Sequence, residues 1–473
     1  MLFTTGLFMV LFCIFLLLYH ALKNKPVAKM LLVVAFSLYF YYKAPGACVL
    51  ILVGVTLSDY YLGLLLERTT GNIARRLIVA ANVLVNVGML VWFKYFNLLA
   101  GAFCSIMQTG FDPLDIFLPA GISFFTFRSI SSMVDIYRGD MRPCTNLLEY
   151  AFFLTFFPPL LAGPVVRAKD LLPQIRANAN PTRELTSAGL FMIMTGMVKK
   201  MIIADYISVN FVDRIFDNPA LYSGFENMMG CIGFTVQLYC DFSGYSDMAI
   251  GLAMVLGYRF KDNFLAPFKS QSPSEFWTRW HISLSTWLRD YIYIPLGGNR
   301  KGRMRRDLNL FITMALGGLW HGATWMYVIW GCYNGLLLIG HKALKAIVTV
   351  PQNIAARTDV RIFNMMVTFA LMVIGFTFFR APDMATVQTI GTQIISNFHI
   401  SVAPQFVEGY LLIVAAMALG YIAHMSPRAW TTGMSTTYVA LPYYLQAAVL
   451  ALVIFLVIQA RQSELVPFIY LQY

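Results

Sequence analysis

Leu308-Asn309-Leu310-Phe311-Ile312-Thr313-Met314-Ala315-Leu316-Gly317-Gly318-Leu319-Trp320-His321-Gly322-Ala323-Thr324-Trp325-Met326-Tyr327-Val328-Ile329-Trp330 opens an apolar run that continues to Gly340. Apart from His321, no acid or base interrupts it. About 20 apolar residues carry a helix across the hydrocarbon core, so this run exceeds one span. A backbone without water must satisfy its own hydrogen bonds, which at this length means helix. A titratable ring inside such a run is expensive and needs a reason.

The rest of the chain extends the same pattern. Of 473 residues, 58% are hydrophobic and 12% charged, against about 25% charged in an ordinary soluble domain. One soluble core of this size cannot hide that much apolar surface. Composition thus excludes a soluble enzyme, a disordered chain, a coiled coil and a collagen-like fibre. A transmembrane β-barrel is disfavoured, because its segments are short and alternate apolar with polar. The formal net charge of +12 reads as loop charge beside anionic lipid rather than a nucleic-acid footprint. The seven cysteines are scattered without a Cys-x-x-Cys pair, and predict neither a zinc site nor a disulfide framework.

Met1–His20 is apolar, lacks a basic start and shows no cleavage signal, and is expected to be a retained first helix. Lys23, Lys25 and Lys29 follow it; Val27–Tyr42 ends at Ala44-Pro45-Gly46; Cys48–Leu66 ends in Arg68, Arg75 and Arg76. The basic loops are therefore placed in the cytoplasm and Met1 outside. Further apolar runs cover Leu77–Phe93, Phe117–Met133, Leu147–Val166, Ala188–Val209, Met228–Leu256, Ile362–Phe379, Tyr410–His424 and Leu441–Gln459. Pro158-Pro159 and Gly163-Pro164 break one of them, as in re-entrant or tilted segments. The expectation is an all-α integral membrane protein of roughly 10–12 transmembrane or re-entrant helices. It forms a single domain, residues 1–473, with a motif-rich core at 238–334. No internal repeat supports a repeat-built transporter.

Polar and aromatic residues crowd that core. His321 is flanked by Gly317, Gly318 and Gly322, which strip side chains from its surroundings so that a substrate backbone or acyl chain could approach closely, and by the rigid walls Trp320 and Trp325. A neutral imidazole there can take a proton from an attacking hydroxyl. His281 stands forty positions earlier, among Trp277, Trp280, Trp287, Glu275, Arg279, Arg289 and Asp290, with Ser285 one turn along. The bland readings are an interhelical hydrogen bond for His321 and an interfacial helix for His281; the surrounding pattern favours catalytic roles for both. His20, His341, His399 and His424 fall at helix ends or in loops and are given no role. Asp241 and Asp247 interrupt an apolar run, as tunnel-lining groups or helix-pairing contacts. Ser243, Trp277, Arg279, Trp280, Ser285, Trp320 and Asn334 complete a candidate substrate-binding set. Arg300, Lys301, Arg303, Arg305 and Arg306 put five cations into seven residues, either a topology anchor or a mouth attracting donor phosphate. Arg128 and Asp135, about two turns apart on one face, suggest a buried ion pair. Metalloprotease, serine-hydrolase, P-loop and dinucleotide signatures are absent.

These motifs closely resemble the membrane-bound O-acyltransferases, within them the bacterial alginate O-acetylation type. The resemblance rests on Asp241-Phe242-Ser243-Gly244-Tyr245-Ser246-Asp247, Asn263-Phe264-Leu265-Ala266-Pro267, Arg279-Trp280-His281-Ile282-Ser283-Leu284-Ser285 and Leu319-Trp320-His321-Gly322. It continues in Gly121-Ile122-Ser123-Phe124, Asp135-Ile136-Tyr137-Arg138-Gly139, Ala162-Gly163-Pro164, Val198-Lys199-Lys200, Phe379-Arg380-Ala381 and Pro467-Phe468-Ile469-Tyr470. Arg128 departs from the Gln that relatives often carry there. The resemblance implies helices around a central funnel, and passage of an acetyl or other short acyl group from a cytoplasmic thioester donor toward an outside hydroxyl. It maps the family's essential histidine to His321 and a polar partner to His281. Acetyl-CoA or another acyl thioester would be the donor substrate, with no permanently bound cofactor and no metal. The implied partners are membrane lipid, a polysaccharide acceptor and an exported serine esterase-like acetyltransferase. The implied location is the bacterial cytoplasmic (inner) membrane, multi-pass. A multi-helix transporter or a structural subunit of an export complex is the alternative.

Overall fold

The computed structural model describes residues 3–44, 46–348, 350–460 and 468. Pro45 of the expected turn, and Pro467, Ile469 and Tyr470 of the tail motif, lie outside the described residues, as does Met1. Every regular element among the described residues is helical. Five helices are long and apolar enough to cross a membrane: Gly46–Arg68, Asn72–Ile106, Arg183–Asp217, Thr358–Arg380 and Tyr443–Ala460. A sixth is reached if Ile400–Gly409 and Leu411–Met425, bent by 96° at their junction, count as one span. Gly6–Ala21 and Pro26–Tyr42 are apolar but shorter, at 16 and 17 residues. Other apolar runs are broken or carry polar groups inward. Leu147–Val166 yields a helix only over Leu147–Thr155, because its Pro and Gly pairs end it. Leu308–Gly340 is two helices, Gly302–His321 and Trp325–Ile347.

The chain divides into two compact units. One comprises Met1–Leu190 and Met248–Lys261. Phe157 anchors its apolar packing, with the rings of Phe8, Phe12, Phe15, Phe36 and Phe40 at 5.0–6.3 Å. The non-helical stretch after Thr155 is buried throughout, so its carbonyls need donors. Arg128, fully buried, supplies them: its guanidinium donates to Leu154 O at 3.2 Å, Phe153 O at 3.5 Å, and Pro159 O. Asp135 pairs with Lys169 at 3.6 Å. The Arg128 cation thus closes a broken helix end, a task that the spacing of Arg128 and Asp135 does not reveal. Lys29, expected to mark a cytoplasmic loop, is buried instead; its Nζ donates to Asn178 Oδ1, Ala179 O and Asn180 Oδ1 at 2.7–2.9 Å.

Polar groups also tie the spans of this unit together. Asn82 Nδ2 donates to Asp59 Oδ1 at 2.6 Å, the Tyr150 hydroxyl to Asp59 Oδ2 at 3.1 Å, and Asn86 Nδ2 to Ser129 Oγ at 2.8 Å. Four helices, Val49–Arg68, Asn72–Leu90, Ile122–Arg138 and Leu147–Thr155, meet in this cluster. Lipid offers no hydrophobic drive between helices, so such bonds fix their pairing.

The second unit comprises Phe191–Asp247 and Asp262–Tyr473. Its buried charges are paired. Lys199 Nζ meets Asp247 at 2.7 Å, and Lys200 Nζ meets Asp205 at 2.7 Å and Asp241. The lysines lie on the π-helical turn Val198–Ala204 and the two later acids on Gly224–Val255. A Cβ on Gly244 would come within 2.7 Å of Gly196 O, so glycine lets these segments approach closely enough to pair.

Removing the Arg128 side chain should leave its buried carbonyls without donors. Arg128→Ala is expected to lower stability by ~2–4 kcal/mol, read as reduced thermal resistance of the purified protein in detergent. An unchanged unfolding temperature would contradict the carbonyl-capping role.

Candidate active site

The break in the long apolar run positions His321. Helix Gly302–His321 ends on that residue, and the chain reverses through Gly322, Ala323 and Thr324 into Trp325–Ile347. The glycines make this reversal tight. A Cβ on Gly318 would lie 2.3 Å from Tyr327 O, one on Gly331 would lie 2.5 Å from Met314 O, and one on Gly322 would overlap the Tyr327 ring at 2.1 Å. A Cβ on Gly317 would lie 3.1 Å from Leu288 Cδ1. The space they leave is therefore filled by the protein's own Tyr327 and Leu288. They are packing notches between helices, not the clearance for a substrate chain that their sequence suggested.

His321 itself is 5% exposed, and aromatic rings enclose it: Trp320 and Trp330 each at 4.9 Å between centroids, Phe379 at 5.3 Å. Phe379 comes from the end of Thr358–Arg380, so three helices contribute to the enclosure.

His281 is fully buried at the junction between Pro273–Arg279 and Ile282–Leu288, with φ +43°. A non-glycine residue holds that left-handed conformation only where its surroundings fix it. Asn263 does so. Its backbone O accepts the Ile282 N–H at 2.9 Å, and its Oδ1 accepts the Ser283 N–H at 3.1 Å and the Ser283 hydroxyl at 2.8 Å. The Ser283 N–H can only donate, so the Asn263 atom facing it is oxygen. His281 Nδ1 lies 3.3 Å from that same oxygen. A neutral His281 therefore carries its proton on Nδ1 and presents Nε2 as the unprotonated nitrogen. Asn263 Nδ2 donates onward to Ser246 Oγ at 3.1 Å.

Trp320 joins the two imidazoles. Its ring lies 6.1 Å from His281 and 4.9 Å from His321, so the two histidines stand no more than 11.0 Å apart, the sum of those separations. Forty residues of chain thus return to one indole.

The other sequence candidates divide by position. Asp241 and Asp247 are in the lysine pairs, and Ser243 is buried on the same helix. Trp277 packs on Trp330 at 5.8 Å, and its buried indole N–H has no hydrogen-bond partner among the described residues. Trp280 stacks on Phe276 and meets Phe264 edge-on. Ser285 Oγ donates to Trp280 O at 3.2 Å, and Asn334 Nδ2 to Trp330 O at 2.9 Å. Arg279 pairs with Glu275 at 2.8 Å and donates to Leu265 O. Arg300, Lys301 and Arg303 are exposed and make no ion pair among the described residues. Sequence reasoning singled out neither Asn263, Phe242, Trp330 nor Phe379 as site residues. Asn263 carried a readable signal, a lone carboxamide within the quoted Asn263–Pro267 stretch; Phe242, which meets His281 edge-on at 4.6 Å, carried none beyond its neighbours.

Two buried imidazoles around one indole, in an all-helical membrane protein, suit proton transfer to and from a hydroxyl. The comparisons agree on the class: the description "MBOAT, membrane-bound O-acyltransferase family" matches residues 141–381. The chain belongs to the membrane-bound O-acyltransferase family, and it is an O-acyltransferase. It is 42% identical to the probable alginate O-acetylase AlgI of Pseudomonas putida, over 81% of this chain and 78% of that one. It is 41% identical to the namesake in Pseudomonas aeruginosa, over 81% and 73%. A peptidoglycan O-acetyltransferase of Helicobacter pylori is 34% identical over 76% and 72%.

Asn263→Ala removes the oxygen that fixes both the His281 tautomer and the backbone around it. Acyl transfer should fall by about a hundredfold, the usual consequence of an ångström-scale misplacement, while the folded protein persists in the membrane. The rate of acyl transfer, normalised to protein amount, measures this; a wild-type rate would contradict the positioning role.

Proposed function

We propose that this enzyme passes an acetyl, or another short acyl, group from a cytoplasmic thioester such as acetyl-CoA across the membrane, toward O-acetylation of an extracytoplasmic polysaccharide of the alginate kind. The similarity to alginate O-acetylases over four fifths of the chain supports the acceptor class. An exported serine esterase-like partner would receive the group where the glycan is not acylated directly. The bacterial inner membrane is the setting this reading requires.

In the reaction, a hydroxyl oxygen attacks the thioester carbonyl. His321 takes the hydroxyl proton as the C–O bond forms. The tetrahedral intermediate collapses with cleavage of the C–S bond, and the proton passes from His321 to the departing thiol. The ester and free thiol are the products, and His321 returns neutral. His281 has a different part. With its proton engaged at Nδ1 by Asn263, its Nε2 is an acceptor and cannot donate to the thioester carbonyl. It accepts a hydrogen bond from a substrate N–H or O–H other than the attacking one, so it positions the substrate and does not polarise the carbonyl. The Trp277 N–H, buried and without a partner among the described residues, is the better-suited donor for the developing oxyanion. Arg300, Lys301 and Arg303 are available to draw donor phosphate to the membrane surface.

The observation that carries this reading is the enclosure of His321 and His281 around Trp320. Replacing His321 by Ala at wild-type protein level should reduce acetylation of the exported glycan by ~10²–10⁴. Undiminished acetyl content would defeat the assignment.

A further inference from the structure

His424, given no role by its sequence context, is buried in the second unit. It lies at the end of Leu411–Met425 and is 5% exposed. The Phe268 N–H donates to its Nε2 at 3.0 Å. A backbone amide keeps its proton, so Nε2 is the unprotonated nitrogen and the neutral ring carries its proton on Nδ1. That Nδ1 is buried and has no hydrogen-bond partner among the described residues. A buried donor without an acceptor is costly and rare enough to require an explanation.

The surroundings narrow the explanation. Tyr239 meets the ring edge-on at 4.5 Å and Phe268 lies at 4.7 Å. Tyr239 touches Phe264 at 6.1 Å, and Phe264 touches His281 at 6.4 Å. The orphan donor thus belongs to the aromatic packing that encloses the site. The Nδ1–H can only donate, so the group it lacks is an acceptor, and an electron-rich oxygen suits it best. Tyr239 and Phe268 are at most 8% exposed. A group that reaches Nδ1 through packing this tight must be slim, which a linear thioester arm is and a polysaccharide is not.

We propose that His424 is a binding residue for the acyl donor, its Nδ1–H donating to a carbonyl or phosphate oxygen on the thioester-bearing arm. This rests on the acyl-transfer reading above and adds to it the residue that holds the donor. His424 takes no part in the bond-making step, so its loss acts on donor affinity.

The test uses inverted membrane vesicles containing the full chain and its glycan acceptor at saturation, with acetyl-CoA as donor and thiol release as readout. His424→Phe keeps a ring and loses both nitrogens. Its KM for acetyl-CoA should rise at least tenfold, with kcat changed by less than threefold. His424→Asn, whose amide can accept from Phe268 N–H and still donate, should keep KM within threefold of wild type and serves where the Phe variant fails to fold. Repeating the series with S-acetyl-N-acetylcysteamine, which lacks phosphate, distinguishes the two oxygens: a KM effect with both donors identifies a carbonyl, and one with acetyl-CoA alone a phosphate. A wild-type KM in folded His424→Phe, a KM effect on the glycan instead of the donor, or a tenfold rise in His424→Asn would each overturn the proposal. Absence of thiol release by the wild type would instead overturn the acyl-transfer reading beneath it.

Discussion

One carboxamide oxygen, Asn263 Oδ1, sets the chemistry available at the site. It accepts from the Ser283 N–H, the Ser283 hydroxyl and His281 Nδ1 together. The first of these identifies the atom as oxygen, and the last then places the imidazole proton. The left-handed backbone of His281 persists because the same residue holds Ile282 and Ser283, the two residues that follow it. The tautomer and the strain therefore have a common cause. The loop bearing His281 thereby gains the rigidity of a packed core.

The same economy governs the buried charges elsewhere. Within hydrocarbon a charge or a loose carbonyl is tolerated only with a partner. Arg128 answers the carbonyls freed by the Pro158-Pro159 break, Lys29 closes the loop around Asn178, and Lys199 and Lys200 neutralise the acids of Gly224–Val255. These groups shape the scaffold. The Trp277 N–H and His424 Nδ1 are among the buried polar atoms that this scaffold leaves without a hydrogen-bond partner among the described residues.

The membrane character and the helical class were legible in the composition and in run length, because both follow from one-dimensional apolar content. The two histidines were legible as polar groups where hydrocarbon forbids them. What the sequence hid was mostly a matter of partners. Glycines beside His321 look alike whether they admit substrate or a neighbouring tyrosine, and only the fold brings Tyr327 against Gly322. The spacing of Arg128 and Asp135 suited an ion pair, yet Arg128 serves carbonyls some thirty residues on. His424 lay at the end of an apolar run, where an exposed histidine is the ordinary outcome. Its burial depends on Phe268, more than 150 positions away in the chain.

If His281 and His321 act as a unit around Trp320, their contributions to acyl transfer are not independent. The direct measurement is a double-mutant cycle on transfer rate, using His281→Ala, His321→Ala and the double variant at matched amounts of folded protein. The account predicts that the double variant is scarcely slower than His321→Ala alone. A double variant slowed by the full product of the two single effects would mean that the imidazoles work separately, and would contradict a shared site.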